Sequence, residues 1–214
     1  MTTISQEPDA TVQLQGVAWE DYLRLRELPD SQHVRMTYDD GILELGHVSR
    51  LRARIAELLG RLVLAWTEER AIPVQSCGAV TFKRQDLRKA LEPDKCYYIR
   101  HESRVRDRDE LDLKIDPPPD LVIEVDVSAR SRRRIAIHAS LGVPEVWVWR
   151  REAVQVLVLD ERQSYVEQDQ SGALPGFPLD EAQRLLTARQ SADETRLVRQ
   201  FRSAIRPDPP EARP

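Results

Sequence analysis

Cysteine is scarce in this chain: Cys77 and Cys96 are the only two among 214 residues. Two thiols cannot build the disulfide framework of a small secreted domain or the four-ligand cage of a structural zinc site. A reducing cytoplasm is the simplest setting. Long apolar runs are lacking too. None approaches the roughly 20 residues that span a bilayer, so no membrane partner is expected. The opening "MTTISQEPDATVQ" has neither the basic start nor the apolar segment of a secretory signal. Internal repeats and low-complexity linkers are absent as well. His33, His47, His101 and His138 show no metal-ligand spacing. No Gly-x-Ser-x-Gly elbow surrounds Ser128 or Ser131, which read as helix caps rather than nucleophiles. Nor is there an excess of basic charge, since the formal net charge is -4. A protein held to nucleic acid by phosphate contacts alone is usually basic. Any such attraction here must come from local patches or be helped by a metal ion.

What is present suits one ordinary domain, with 41% hydrophobic and 32% charged residues. We place that domain at 17–205, after a flexible N-terminus (1–16) and before a disordered tail (206–214). "VAWEDYLRLRELP" reads as a short amphipathic helix. "HVRMTYDDGILELG" reads as a hairpin turning at Asp40-Gly41. Leu51, Ile55, Leu58, Leu59, Leu62 and Trp66 recur at helical spacing and predict the longest helix. "IPVQSCGAVTFKR" is a strand region, "QDLRKAL" reads as one or two helical turns, and "KCYYIR" is a strand. "HESRVRDRDELDLKID" is a charged loop facing solvent or a partner. "LVIEVDV" is a strand, and "SRRRIAIHASLG" a helix closed by Gly142. "VPEVWVW", "AVQVLVL" and "SYVEQ" are strands, followed by two closing helices. Mixed strands and helices of this kind imply an α/β fold.

The stretch "PPPDLVIEVDVSARSRRR" carries the chemistry. Along the strand Asp120, Val122, Glu124 and Asp126 share one face, and Leu121, Ile123, Val125 and Val127 the other. Same-face neighbours lie roughly 7 Å apart, from a rise of about 3.3 Å per residue. Carboxylates so close in a partly dry sheet repel, and a hard cation with oxygen ligands would relieve them. Asp94, in "LEPDKCYYIR", stands at the mouth of the preceding strand. If the two strands pair, Asp94 and Glu124 converge at one sheet end. A Mg²⁺ ion there would prepare a water and hold a scissile phosphate. The bland alternative is a turn-starting Asp and an edge protected by charge.

"LEPDKCYYI", "DPPPDLVIEVDVS" and "ASLGVPEVWVW", with "VRMTYDDGILEL" and "TFKRQDL", resemble the Uma-type restriction endonuclease family of the PD-(D/E)XK nuclease superfamily. The likeness runs from about Trp19 to about Phe177. It implies a restriction-endonuclease-like core, a mixed β-sheet flanked by helices. Asp94 matches the motif's Asp and Glu124 its Glu. Asp120 matches the family's second Pro-Asp acid, and Glu44 an early acid that completes the metal shell. The superfamily's lysine has no direct match. Asp126 stands at its usual place, and Arg134 at the helical position from which relatives supply it. The family's aromatic is His138 here, and the turn before the long helix has become "HVSRLRA".

The resemblance implies a Mg²⁺-dependent (or Mn²⁺-dependent) endonuclease hydrolysing DNA. Asp94, Glu124, Asp120 and Glu44 would hold the metal. Arg134 would neutralise transition-state charge, but it cannot serve as a base. Arg130, Arg132, Arg133 and Lys83 are the candidate DNA contacts, and the exposed strands leave room for a homodimer. The second reading is a degenerate nuclease fold that binds DNA or a protein partner without cutting.

Overall fold

The computed structural model describes residues 11–78, 80–126 and 132–206. Two sheets organise it. The first has five strands: β1 (Thr11–Gln15), β2 (Arg35–Asp39), β3 (Ile42–Gly46), β5 (Phe82–Arg84) and β6 (Lys89–Leu91). Their order is β1-β3-β2-β6-β5, antiparallel throughout. The second has six: β4 (Gln75–Ser76), β7 (Lys95–Tyr98), β8 (Leu121–Val125), β9 (Glu145–Arg150), β10 (Ala153–Leu159) and β11 (Tyr165–Gln168). Their order is β11-β10-β9-β8-β7-β4. Among the described strands only β8 and β9 run parallel, joined through helix α4 (Arg132–Ser140) as parallel pairs require.

Local chemistry accounts for the boundaries. Asp40 and Gly41 both have positive φ, 43° and 89°, the two-residue turn whose twist suits a hairpin. Helix α2 (Arg50–Glu69) starts at Ser49, whose side chain accepts from the Arg52 amide. Gly142, at φ 76°, turns the chain after α4 as a left-handed stop.

The second sheet is covered on both faces. On one, α2 lays Leu58, Leu59, Leu62 and Trp66 over Tyr97, Ile123, Val125, Trp147 and Trp149. Helices α5 (Leu179–Thr187) and α6 (Glu194–Ile205) complete that layer. On the other, Cys96, Val122, Val146 and Val148 meet Ile137 of α4 and Phe82 and Leu91 of the first sheet. Helix α1 (Trp19–Glu27) covers the far face of the first sheet, where Trp19 and Tyr22 pack on Tyr38, Leu43 and Ala90.

Three expectations are revised. Residues 11–15, read as flexible, form β1 and pair with β3 from Thr11↔Gly46 to Gln15↔Ile42. "QDLRKAL" is not helical: it is the turn and return strand of a β5–β6 hairpin, with Arg88 at φ 51°. The charged loop contains a short helix, α3 (Glu102–Val105), and buries Val105, Leu113 and Asp116. The expected caps Ser128 and Ser131 lie outside the described residues.

Candidate functional site

The register of β7 on β8, with Lys95 opposite Ile123 and Tyr97 opposite Leu121, sets Asp94 beside Glu124 at one sheet end. The two carboxylates converge: Arg35 reaches Asp94 Oδ1 at 2.6 Å and Glu124 Oε2 at 3.2 Å. Arg52 bridges the same pair, from Nη2 to Asp94 Oδ2 at 2.9 Å and to Glu124 Oε2 at 3.2 Å. Both side chains are buried, with Asp94 4% and Glu124 1% exposed.

Three elements deliver the cations. Strand β2 alternates, so Arg35 and Thr37 face α4 while Met36 and Tyr38 face α1. Arg52 sits in the first turn of α2. Arg134, in α4, grips Glu124 side-on, Nε to Oε2 at 3.0 Å and Nη2 to Oε1 at 2.7 Å. It also donates to Thr37 Oγ1 at 2.6 Å and to the carbonyl of Glu92, which takes Arg35 as well. His138 Nε2 lies 2.8 Å from Glu124 Oε1. His138 Nδ1 is buried without a partner among the described residues, and Nε2 faces the Glu124 carboxylate, so the neutral ring carries its proton on Nε2 and donates it to Glu124.

Burial by itself would raise the Glu124 carboxyl. Arg134, Arg35 and the His138 hydrogen bond overcome it and hold the group well below the ordinary carboxylate value. Burial and the neighbouring Arg134 lower the Arg35 guanidinium to about 10. His138 is held below its usual value, first by burial and then by Arg134 and Arg35, against the pull of Glu124.

The expected metal shell is only half assembled. Asp120 stands at the opposite end of β8, four residues or about 13 Å from Glu124. It accepts from the Ile99 amide (2.7 Å), the His101 amide (3.0 Å) and His101 Nδ1 (2.6 Å). It orders the chain after β7. Glu44 is opposite Thr37, one strand beyond the pair. Asp126 bonds Arg150, Nε to Oδ2 at 2.7 Å.

The donors around the remaining two carboxylates do not suit a resident divalent ion. Asp94 Oδ1 takes Arg35 and Arg52, and Oδ2 takes Arg52 and the Val125 amide. Glu124 Oε1 takes Arg134 and His138, and Oε2 takes Arg134, Arg35 and Arg52. Each oxygen thus has at least two donors, matching its lone pairs. Three guanidiniums against two carboxylates leave one positive charge in excess, and a dication would add to it. Among the described residues no group of three or more His, Cys, Asp or Glu could hold a metal.

The candidate DNA contacts divide. Arg132 is exposed at the start of α4. Arg133 donates to Gln13 at 3.2 Å and lies 3.8 Å from Asp39. Lys83 is exposed, and its partner Ala90 belongs to the α1 side of the first sheet, away from Glu124. Arg130 lies outside the described residues. Arg134 is turned inward to Glu124 and is 8% exposed, so it does not present a free guanidinium to a phosphate. The sequence reading missed Arg35 and Arg52. Their only local signals are the polar alternation Arg35-Thr37-Asp39 and a basic first helical turn.

Two sheets with an Asp-and-Glu pair at adjoining strands define a restriction-endonuclease-like α/β protein. The chain belongs to the Uma2 family, described as "Putative restriction endonuclease", whose model matches residues 19–207. Among solved structures it is similar to a "putative nuclease belonging to DUF820" from Anabaena variabilis. Identity is 14% and the TM-score 0.52, covering 86% of this chain and 99% of that one. Comparison with curated proteins gives no match.

Proposed function

We propose that this protein is a nuclease-fold DNA-binding protein whose carboxylate pair is held by guanidiniums rather than by a catalytic metal. The observation that carries the reading is the saturation of all four oxygens of Asp94 and Glu124 by Arg35, Arg52, Arg134, His138 and the Val125 amide. The chain also offers no general base in the lysine's place, because Arg134 keeps its proton. Binding would rest on phosphate contacts from residues such as Arg132 at the exposed start of α4. Such contacts position a protein on a duplex without reading its sequence. The reading sets the protein in the cytoplasm and includes a homodimer, which sedimentation tests.

Two assays on the purified chain decide it. In fluorescence anisotropy with a labelled duplex and EDTA, binding is expected, and it should weaken as salt rises. Supercoiled plasmid incubated with Mg²⁺ or Mn²⁺ should stay intact. A second reading, the metal-dependent endonuclease hydrolysing DNA phosphodiesters, is favoured by the convergence of Asp94 and Glu124 at one sheet end. Nicking by the wild type that disappears in Glu124→Ala would establish that reading and overturn the first. Absence of duplex binding would remove DNA as the partner.

A further inference from the structure

Away from the carboxylate pair, the only two cysteines of the chain face each other. The β4–β7 ladder pairs Gln75 with Tyr98 and Ser76 with Tyr97, so the next position sets Cys77 against Cys96. The Cys77 amide donates to the Cys96 carbonyl at 3.2 Å. Directly opposed residues of an antiparallel pair have Cα atoms about 4.5–5.5 Å apart and side chains on one face. That falls inside the range of about 4.4–6.8 Å that a disulfide spans. The thiols differ in surroundings. Cys96 is fully buried beside Val122, and its Sγ lies 3.5 Å from the Gly78 carbonyl. Cys77 is half-buried and lines a cleft of about 430 Å³ with Ser76, Val80, Lys83, Arg108 and Leu111. The cleft gives a small molecule a path to one sulfur, and its wall carries charges of both signs, Lys83 and Arg108 with Asp109 and Glu110.

We propose that Cys77 and Cys96 form a reversible thiol-oxidation site for small hydroperoxides, with Cys77 the reacting sulfur and Cys96 the resolving one. The Cys77 thiolate attacks one oxygen of the peroxide. The O–O bond breaks, the departing hydroxide takes a proton to become water, and Cys77 becomes a sulfenic acid. The Cys96 sulfur then attacks Cys77 and gives up its proton. An S–S bond forms, the S–O bond breaks, and a second water leaves. Two thiols lose two electrons and hydrogen peroxide becomes two waters. The facing of the two thiols supports the division of roles: Cys96 beside it lowers Cys77 below its ordinary value, while Cys77 and burial push Cys96 well above. A thiolate, not a thiol, is the nucleophile. The product would staple β4 to β7, whose first residue follows Asp94.

The experiment treats purified full-length protein with a small excess of hydrogen peroxide. Thiols are counted with Ellman's reagent under denaturing conditions, and peptides are mapped without reduction. Both thiols should vanish together, a single Cys77–Cys96 peptide should appear in monomeric protein, and dithiothreitol should restore both. In Cys96→Ser the Cys77 sulfenic acid should accumulate and be trapped by dimedone. In Cys77→Ser, Cys96 should stay reduced. The wild-type measurement stands alone if either variant fails to fold. Persistence of both thiols, over-oxidation of Cys77 without the linked peptide, or disulfides only between chains would each overturn the proposal.

Discussion

His138 is a neutral ring buried against a carboxylate, and that predicts how the protein responds to acid. Burial, helped by Arg134 and Arg35, keeps the folded imidazole below its ordinary value of 6.5. Below 6.5 the unfolded chain takes up a proton that the folded chain refuses. The contribution is therefore intact above 6.5 and lost as pH falls through it towards the folded value. Glu124 adds a second, lower limb. Its carboxyl is held well below 4.5, so its contribution is present above that value and lost beneath it. Urea midpoints measured from neutrality down to about pH 5 should fall for the wild type. In His138→Gln, which keeps a donor towards Glu124, they should stay nearly flat over the same interval. Equal slopes would show that His138 is not the titrating group. None of this pairing was legible in the sequence, where His138 is one of four unclustered histidines. Arg35 is 59 residues from Asp94 and Arg52 is 42 away. The convergence of Asp94 and Glu124 was legible because one directly precedes a strand with a strong local signal and the other lies within one. Asp120 misled because a shared strand face says nothing about which end of the sheet a residue serves.

At the level of elements, α2 was the most legible, since it buries one long face and its apolar spacing survives uninterrupted. The β5–β6 hairpin was not. Leu91 faces α4 and Ala90 faces α1, so burial on both sides erased the two-residue alternation. Leu87 and Leu91, four apart, imitated a helix. Strand β1 does alternate, Val12 and Leu14 between polar residues, but five residues at a chain end carry little weight until β3 supplies their partner. Helix α2 gives a sharper test at Gly60, where an added Cβ would stand 2.7 Å from the Tyr97 hydroxyl. Helix propensity alone favours alanine over glycine by about 1 kcal/mol. Crowding against a buried ring on β7 opposes it, and overpacking typically costs about 1–3 kcal/mol. Gly60→Ala should therefore be destabilising in the wild type, and neutral or stabilising in a Tyr97→Phe background. A double-mutant cycle by urea denaturation measures the coupling. Additive effects would place the helix–strand contact elsewhere.

The whole molecule is a restriction-endonuclease-like fold built around a pair of acids already closed by arginines, and bulk charge and local charge point different ways. With a formal net charge of -4, the chain as a whole attracts cations weakly. At the carboxylate pair the sign reverses, because Arg35, Arg52 and Arg134 outnumber Asp94 and Glu124. A divalent ion would have to displace guanidiniums, leaving them buried without partners, and removing one side of a buried ion pair costs about 3–5 kcal/mol. A specifically bound ion at a hundred times its Kd would stabilise the fold by about 2.7 kcal/mol. The displacement cost enters that Kd and raises it about a hundred-fold or more, so the ion stays unbound and adds no stabilisation. Melting temperatures in Mg²⁺ or Mn²⁺ should then match those in a monovalent salt of equal ionic strength, and EDTA should change nothing. The comparison must be made at matched ionic strength, because screening of the net charge alone moves the melting temperature. A metal-specific rise present in the wild type and absent in Glu124→Ala would mean that the arginines yield to the ion, and the fold would then be read as that of a working metal enzyme.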